Sequence, residues 1–221
     1  MPLVNFDFLV VLAQWPMLLR GLGLTVALTL VSALVGTLLG IGCAWVRAHG
    51  PAWSRAMVGV YVELIRNTPF IIQLFFVFFG LPSLGLRLSP EVASVAAMVL
   101  NLGGYSSEII RAGIEATPRG QLEAAQSLAL EPRQIFLHVV LPPALARVWP
   151  ALVAQIIIVM LGSAVCSQIS TEEVSYAANL IASRTFRTFE AYIVVSAIYL
   201  ALAVALRALL EWVGRRLILR R

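Results

Sequence analysis

The longest stretch without a charged side chain runs from Gly21 to Val46 and reads GLGLTVALTLVSALVGTLLGIGCAWV. A helix that spans a bilayer needs about 20 predominantly apolar residues. Further charge-free windows cover 67–86, 92–107, 148–171 and 191–206. The windows at 21–46 and 148–171 are long enough alone, whereas 92–107 and 191–206 need flanking residues. The sequence therefore predicts an all-α membrane protein with five transmembrane helices.

The composition supports this class, because only 12% of the residues are charged and 60% are hydrophobic. A soluble domain carries about 25% charged residues. The net charge of +5 comes entirely from arginine, since the sequence contains no lysine. These arginines fall between apolar runs, which is typical of the loops of a membrane protein and not of a nucleic-acid-binding surface. We therefore expect a lipid bilayer as a partner and no nucleic acid.

The missing lysine excludes two kinds of chemistry. A Walker A loop needs a lysine to reach the nucleotide phosphates, and a Schiff base also requires one. Cys43 and Cys166 lie far apart in apolar stretches, and His49 and His138 are isolated. This pattern predicts neither a disulfide framework nor a metal site. We expect no cofactor in this chain.

The distribution of arginine predicts the orientation in the membrane. Twelve arginines lie in 47–66, in 111–147 or after residue 206, and four lie on the other side. This bias places the C-terminus in the cytoplasm, and five helices then place the N-terminus outside. Residues 1–18 form an outer N-terminal segment, expected to be retained because it lacks the pattern of a signal peptide. Residues 211–221 form a basic cytoplasmic tail.

The start of the second helix is ambiguous. The stretch from Tyr61 to Pro69 carries two charges, and the residue before a proline disfavours helix. In one interpretation residues 53–67 lie along the membrane surface and the spanning part begins near Pro69. In the other, a single helix runs from about Met57 to Phe79.

The longest hydrophilic stretch, 111–147, is predicted to face the cytoplasm. Within it RGQLEAAQSL, residues 119–128, is rich in helix formers. Glu131-Pro132 interrupts this helix, and a second short helix, RQIFLHVVL, is predicted to end at Leu141-Pro142-Pro143. Two short helices joined by a turn fit docking to a cytoplasmic partner, or equally an interfacial hairpin that packs on lipid or on its own bundle.

The stretch EAAQSLALEPRQIFLHVVLP, residues 123–142, resembles the "EAA" loop of bacterial ABC importer permeases. That pattern is E-A-A, three residues, Gly, nine residues and I-x-L-P. Two positions depart from it, because Ala129 stands at the glycine and Val139 at the isoleucine. The family's glycine can turn the chain through positive φ, which costs alanine about 1–2 kcal/mol. Either the turn differs here or the chain carries this strain. The matching positions are Glu123, Ala124, Ala125, Leu141 and Pro142.

The chain from about residue 19 to residue 210 resembles the subfamily that imports polar amino acids. The segments YVELIRNTPFIIQLFFVFFGLP, YSSEIIRAGIEATPRGQLEAA and IASRTFRTFEAYIVVSAIYL carry the resemblance. One region departs, because Ser170, Thr171 and Glu172 replace a Gly-Val-Pro turn.

The resemblance implies a type I permease domain over 19–210 with a coupling loop over 112–147. The residues of this loop that it implies for coupling to the ATPase are Glu123, Ala124, Ala125, Ala129, Leu141 and Pro142. It also implies cytoplasmic ATPase subunits that bind ATP and Mg²⁺, a second permease subunit, identical or related, and an extracytoplasmic amino-acid-binding protein. The expected location is the cytoplasmic (inner) membrane. Two other functions remain open from the residues alone. A secondary transporter or channel would show an inverted repeat or a broken-helix ion site, and an intramembrane enzyme would show a catalytic constellation; we find none of these.

Polar residues within the apolar windows either join helices by hydrogen bonds or line a water-filled path. The candidates for the substrate path are Gln73, Asn101, Tyr105, Gln155 and Ser163. Two Glu-x-x-Arg pairs at helical spacing are interpreted as structural ion pairs or as a charged gate. These pairs are Glu63 with Arg66 and Glu108 with Arg111. Gly36 and Gly40, spaced as G-x-x-x-G, predict close helix packing.

Overall fold

Every regular element between residues 6 and 218, the part of the chain that the computed structural model describes, is helical. The first five residues of the predicted N-terminal segment and the last three of the predicted basic tail lie outside this range. The α-helices are α1 Phe8–Leu12, α2 Trp15–His49, α3 Ala52–Arg66, α4 Phe70–Phe75, α5 Pro90–Glu115, α6 Arg119–Ser127, α7 Pro132–Gln134, α8 Leu141–Gly162, α9 Val174–Thr185 and α10 Thr188–Val213.

Short π and 3₁₀ turns extend several of these helices. Phe76–Gly80 and Leu81–Leu84 continue α4, Ile135–Val140 joins α7 to α8, Ser163–Ile169 continues α8, and Gly214–Ile218 continues α10. The predicted tail after residue 210 is therefore helical as far as it is described. The π turn at 135–140 carries the chain without a break from α7 into α8.

Three helical runs are long and apolar enough to cross a membrane, namely Trp15–His49, Pro132–Ile169 and Thr188–Arg216. A fourth candidate is the pair Ala52–Arg66 and Phe70–Leu84, whose halves are bent by 114°. Helix α5 has 26 residues, which is long enough to span, but it is too polar to join this set. The structure thus gives three to four candidate spans, and the count of five stays a prediction.

The α3–α4 break excludes one of the two interpretations of the second helix. A single helix over 57–79 is wrong, because α3 ends at Arg66 and α4 begins at Phe70 after Pro69. The side chain of Gln73 donates to the carbonyl oxygens of Ile65 and Thr68, at 2.8 and 3.0 Å. Proline cannot supply the backbone donor that would continue the helix. The glutamine therefore satisfies acceptors that the break exposes.

Helices α2 and α5 pack closely along their length, as the spacing of Gly36 and Gly40 predicts. A Cβ atom added to Gly40 would lie 2.5 Å from the Cβ atom of Ser106, and one added to Gly36 would lie 2.9 Å from that of Leu102. No side chain larger than hydrogen fits at Gly40 without separating the helices. This contact holds α5 in the centre of the molecule, between α2, α3 and α8.

Candidate functional site

Helix α6 contains the E-A-A triplet, whose three residues differ in their exposure. Ala125 is buried and packs on Phe136 and Val140 in a core beneath the helix. Glu123 and Ala124 are exposed, and so is Leu128, with 75% of its surface accessible. One side of α6 thus packs against the rest of the protein, and the other exposes a carboxylate next to apolar side chains. We call Glu123, Ala124 and Leu128 the coupling surface, after the coupling loop that the family resemblance leads us to expect over 112–147.

The turn after α6 is a Schellman motif with alanine at the left-handed position. Ala129 has φ of 53°, its N–H donates to Gln126 O at 2.9 Å, and the N–H of Leu130 donates to Ala125 O at 3.4 Å. Glycine is the usual residue in this position of the motif. The chain therefore keeps a turn of positive φ and carries the strain of an alanine there.

The segment after this turn begins with a capping box. The side chain of Glu131 accepts from the backbone N–H of Gln134, and the side chain of Gln134 accepts from the N–H of Glu131 at 2.8 Å. The helix does not end at Leu141-Pro142-Pro143 as expected. Pro142 and Pro143 stand in the first turn of α8, directly after the π turn. Proline is tolerated in the first turn of a helix, where a backbone donor is not needed.

Aromatic rings connect this segment to the end of α2. Phe136 is 2% exposed, and its ring centroid lies 4.7 Å from that of Trp45 and 5.8 Å from that of His49. The rings of Trp45 and His49 are themselves stacked at 4.1 Å. Edge-to-face pairs at such distances contribute about 0.5–1.5 kcal/mol beyond the area they bury. The coupling surface is thereby connected to α2 through packed side chains.

Glu108 is the centre of an ion-pair cluster that joins three helices. Its carboxylate accepts from Arg47 of α2 at 2.7 Å, lies 3.7 Å from Arg66 of α3, and is also paired with Arg111 of α5. The Glu108 side chain is 20% exposed. Three cations around one carboxylate hold these helix ends together more firmly than an isolated surface pair would.

Only one of the two predicted Glu-x-x-Arg pairs forms within residues 6–218. Glu108 pairs with Arg111, which also contacts Glu115. Arg66 turns to Glu108, and Glu63 instead accepts from the side chain of Asn67 at 2.9 Å. The pairing of Glu63 with Arg66 is therefore wrong, because a carboxylate on a neighbouring helix competes for the arginine.

A hydrogen bond connects two of the five residues that are predicted to line the substrate path. Asn101 Nδ2 donates to Gln73 Oε1 at 2.9 Å, and Asn101 is 8% exposed. Tyr105 lies one helical turn further along α5 and is half-buried. Gln155 and Ser163 are on α8 or its extension. Ser163 donates to Met160 O at 2.7 Å, and in the described part of the chain no hydrogen bond links either residue to the Gln73–Asn101 pair.

Sequence comparison supplies the decisive observation. Residues 36–219 match the family described as "Binding-protein-dependent transport system inner membrane component". The chain belongs to this family.

Relatives match this permease from end to end. The arginine transport system permease protein ArtQ of Bacillus subtilis is 34% identical over 215 residues, which cover 97% of this chain and 98% of ArtQ. A probable amino-acid ABC transporter permease protein, y4tG of Sinorhizobium fredii, is 36% identical over 196 residues, covering 89% and 85%. Among solved structures, "Crystal structure of an amino acid ABC transporter with histidines" matches with a TM-score of 0.85 at 34% identity, covering 97% of this chain and 100% of that one. The chain is thus a multi-pass inner-membrane permease subunit of an ABC transporter.

The permease also contains a buried carboxylate that the sequence patterns missed. Glu173 has no exposed surface. It accepts from the Tyr199 hydroxyl, from Thr25 Oγ1 at 3.4 Å and from Tyr176 N at 2.9 Å. Burial raises the pKa of Glu173 above the ordinary glutamate value, and these hydrogen bonds oppose the shift. The only signal in the sequence is a Glu-Glu pair just after a charge-free window, which does not indicate which carboxylate turns inward.

Proposed function

We propose that this permease is the transmembrane subunit of an ATP-driven importer for a polar amino acid. The observation that carries the proposal is the end-to-end match to amino-acid permeases, at 34% identity over 97% of this chain for the arginine permease and for the solved amino acid transporter. Relatives named for glutamine and L-cystine are 34% and 33% identical. This agreement supports the substrate class and does not favour a secondary transporter or channel.

A separate ATPase docks on the coupling surface and binds the ATP and Mg²⁺. An exposed carboxylate with adjacent apolar groups supports this role, since it can meet a basic and partly apolar surface of the partner. Motion of the docked ATPase reaches α2 through Phe136, Trp45 and His49, and it reaches α8 through the continuous helix at 135–141. Glu108 and its arginines hold the helix ends on the same side.

The permease crosses the membrane five times in this proposal. Helix α2, the bent pair α3–α4, α5, the α7–α8 run and α10 are the five spans, with the N-terminus outside and the C-terminus and the coupling surface in the cytoplasm. Two permease subunits, identical or related, enclose the path, and a binding protein delivers the amino acid. Reporter fusions at Arg119 are expected to give a cytoplasmic signal, and fusions at Leu84 and Glu172 an external one.

The hydrogen-bonded pair of Gln73 and Asn101, with Tyr105 on the same side of α5, is proposed to face the path. Gln155 and Ser163 belong to the same proposed path on α8. Amides and hydroxyls can bind the polar atoms of an amino acid, and they do not introduce an uncompensated charge into the membrane.

The experiment is uptake into vesicles that contain the permease with its ATPase and binding protein, using labelled arginine, glutamine and cystine. The wild type is expected to take up at least one of them in the presence of ATP. Glu123→Lys should abolish this uptake while the permease still inserts, because it opposes the basic surface expected on the ATPase. Glu211→Lys is the matched control, since the Glu211 side chain is also exposed and lies near a helix end outside the coupling surface.

Three outcomes would contradict the proposal. Absence of ATP-dependent uptake of any amino acid by the wild type would exclude the function itself. Full ATP-coupled uptake by Glu123→Lys would exclude the coupling surface alone. Equal loss in Glu211→Lys would show that the charge change itself, and not its position on the coupling surface, abolishes uptake.

A further inference from the structure

Helix α1 is fixed against the first turn of α10. Val11 has no exposed surface and packs in a core with Val174, Ile181 and Ala191. The backbone N–H of Asp7 donates to Glu190 Oε1 at 3.2 Å. These contacts hold the inner side of this short helix against α9 and α10.

The outer side of α1 is also apolar. Leu9 is 78% exposed, Phe6 53% and Leu12 48%. A helix that faces water normally carries polar residues on its outer face. Within the described chain, α1 therefore has apolar surface both toward the protein and away from it.

The turn between α9 and α10 extends this apolar surface. Phe186 is 89% exposed and Phe189 62% exposed, and the ring of Phe189 lies 5.5 Å from that of Phe6. Phe186 has φ of 58°, a conformation that is relaxed for glycine and strained for a bulky residue. The turn thus maintains a strained backbone at a position that exposes an aromatic ring. We call Phe6, Leu9, Leu12, Phe186 and Phe189 the rim patch.

The rim patch is continuous with a surface that lipid is expected to cover. It lies at the start of α10, a candidate span whose outer face exposes Ile193, Leu200 and Val204 further along. The neighbouring span α2 begins at Trp15, which is 60% exposed. Arg20 and Arg184 are also exposed near these helix ends. Aromatic rings and snorkelling arginines are typical of the boundary between acyl chains and headgroups.

We propose that the rim patch is a membrane-interface anchor, in which α1 and the α9–α10 turn lie at the headgroup–acyl boundary. The occupant is lipid of the leaflet that surrounds the N-terminal ends of α2 and α10. Apolar side chains that face away from the protein can be buried at this boundary, while the inner side of α1 stays packed on α9 and α10. The anchor fixes the depth of α10 and explains why a strained turn presents phenylalanine outward.

Nitroxide labels on introduced cysteines test the proposal in the full-length permease, reconstituted without its ATPase into vesicles of phosphatidylethanolamine and phosphatidylglycerol, so that the coupling surface stays uncovered. The labelled variants are Leu9→Cys and Phe186→Cys. Leu128→Cys is the matched control, because Leu128 is 75% exposed but lies on the coupling surface. Both native cysteines are buried, so the unmodified chain measures background labelling. Collision rates of each label with molecular oxygen, which enriches in lipid, and with a water-soluble nickel chelate are compared.

The ratio of oxygen to nickel collision rates is expected to be severalfold higher at positions 9 and 186 than at 128. A ratio at positions 9 and 186 equal to that at 128 would place the rim patch in water and overturn the proposal. Shielding of both positions from both reagents would also overturn it, since a protein partner would then cover the patch. Neither result depends on whether the permease couples to an ATPase or transports an amino acid.

Discussion

Replacing Ala129 by glycine tests the strained turn after α6. In the left-handed conformation an L-residue costs about 1–2 kcal/mol, and Ala129 occupies it with φ of 53°. Glycine removes this cost but gains freedom in the unfolded chain, worth about 0.4–1 kcal/mol. The balance is a stabilisation of about 0.5–1 kcal/mol, confined to the end of α6 and its Schellman motif.

Hydrogen exchange of the peptide spanning residues 124–131 measures this change directly. A local stabilisation of that size slows exchange by roughly two- to fivefold, because exchange reports the local opening equilibrium. Ala116→Gly is the control, since Ala116 is also exposed and also follows a helix, but has φ of −81°. There glycine only adds freedom to the unfolded chain, so exchange around residue 116 should accelerate. Faster exchange in Ala129→Gly as well would refute the left-handed assignment.

Three further predictions concern packing, charge and the path. Gly40→Ala should lower the thermal midpoint of unfolding in detergent, since overpacking costs about 1–3 kcal/mol. Gly42→Ala should not lower it, because a Cβ atom added to Gly42 meets nothing within 4 Å. Glu108→Gln should lower the free energy of unfolding by about 1–3 kcal/mol in the same assay. The control Glu211→Gln, whose ion pair is exposed, should lower it by about 0.3–0.5 kcal/mol. Equal shifts in the two variants would contradict the role of the Glu108 cluster. Asn101→Leu should reduce vesicle uptake by roughly one to two orders of magnitude with normal recovery of the complex; unchanged uptake would assign Asn101 to helix packing.

Local patterns were sufficient for most of the helical architecture. The charge-free window 21–46 lies within α2, Gly36 and Gly40 mark its contact with α5, and α6 forms where the helix-forming residues 119–128 predict it. These features follow from neighbouring residues along the chain.

Features that depend on another helix were not predictable in the same way. Arg66 has a suitable partner three residues away in Glu63, yet it turns to Glu108 of α5, and only the packed arrangement makes that choice. Pro142 predicts the end of a helix, but the π turn before it allows the helix to continue into α8. The inward side chain of Glu173 likewise depends on Thr25 and Tyr199, which are distant in sequence.

The enclosure of α5 has a consequence for how the chain enters the membrane. Ser94, Ser106 and Ser107 are fully buried on this helix and Asn101 nearly so, and together with the charged side chains near its ends they make it more polar than the three apolar runs. Insertion by the translocon depends on the summed cost of the residues that meet lipid. This cost is lower when the newly made α5 leaves the translocon already packed on α2, its main packing partner, because fewer of its polar side chains then meet lipid. In the proposed five-span topology, a variant that loosens the α2–α5 contact, such as Gly40→Ala, would then insert less efficiently, and the yield of intact chain would fall together with its thermal midpoint.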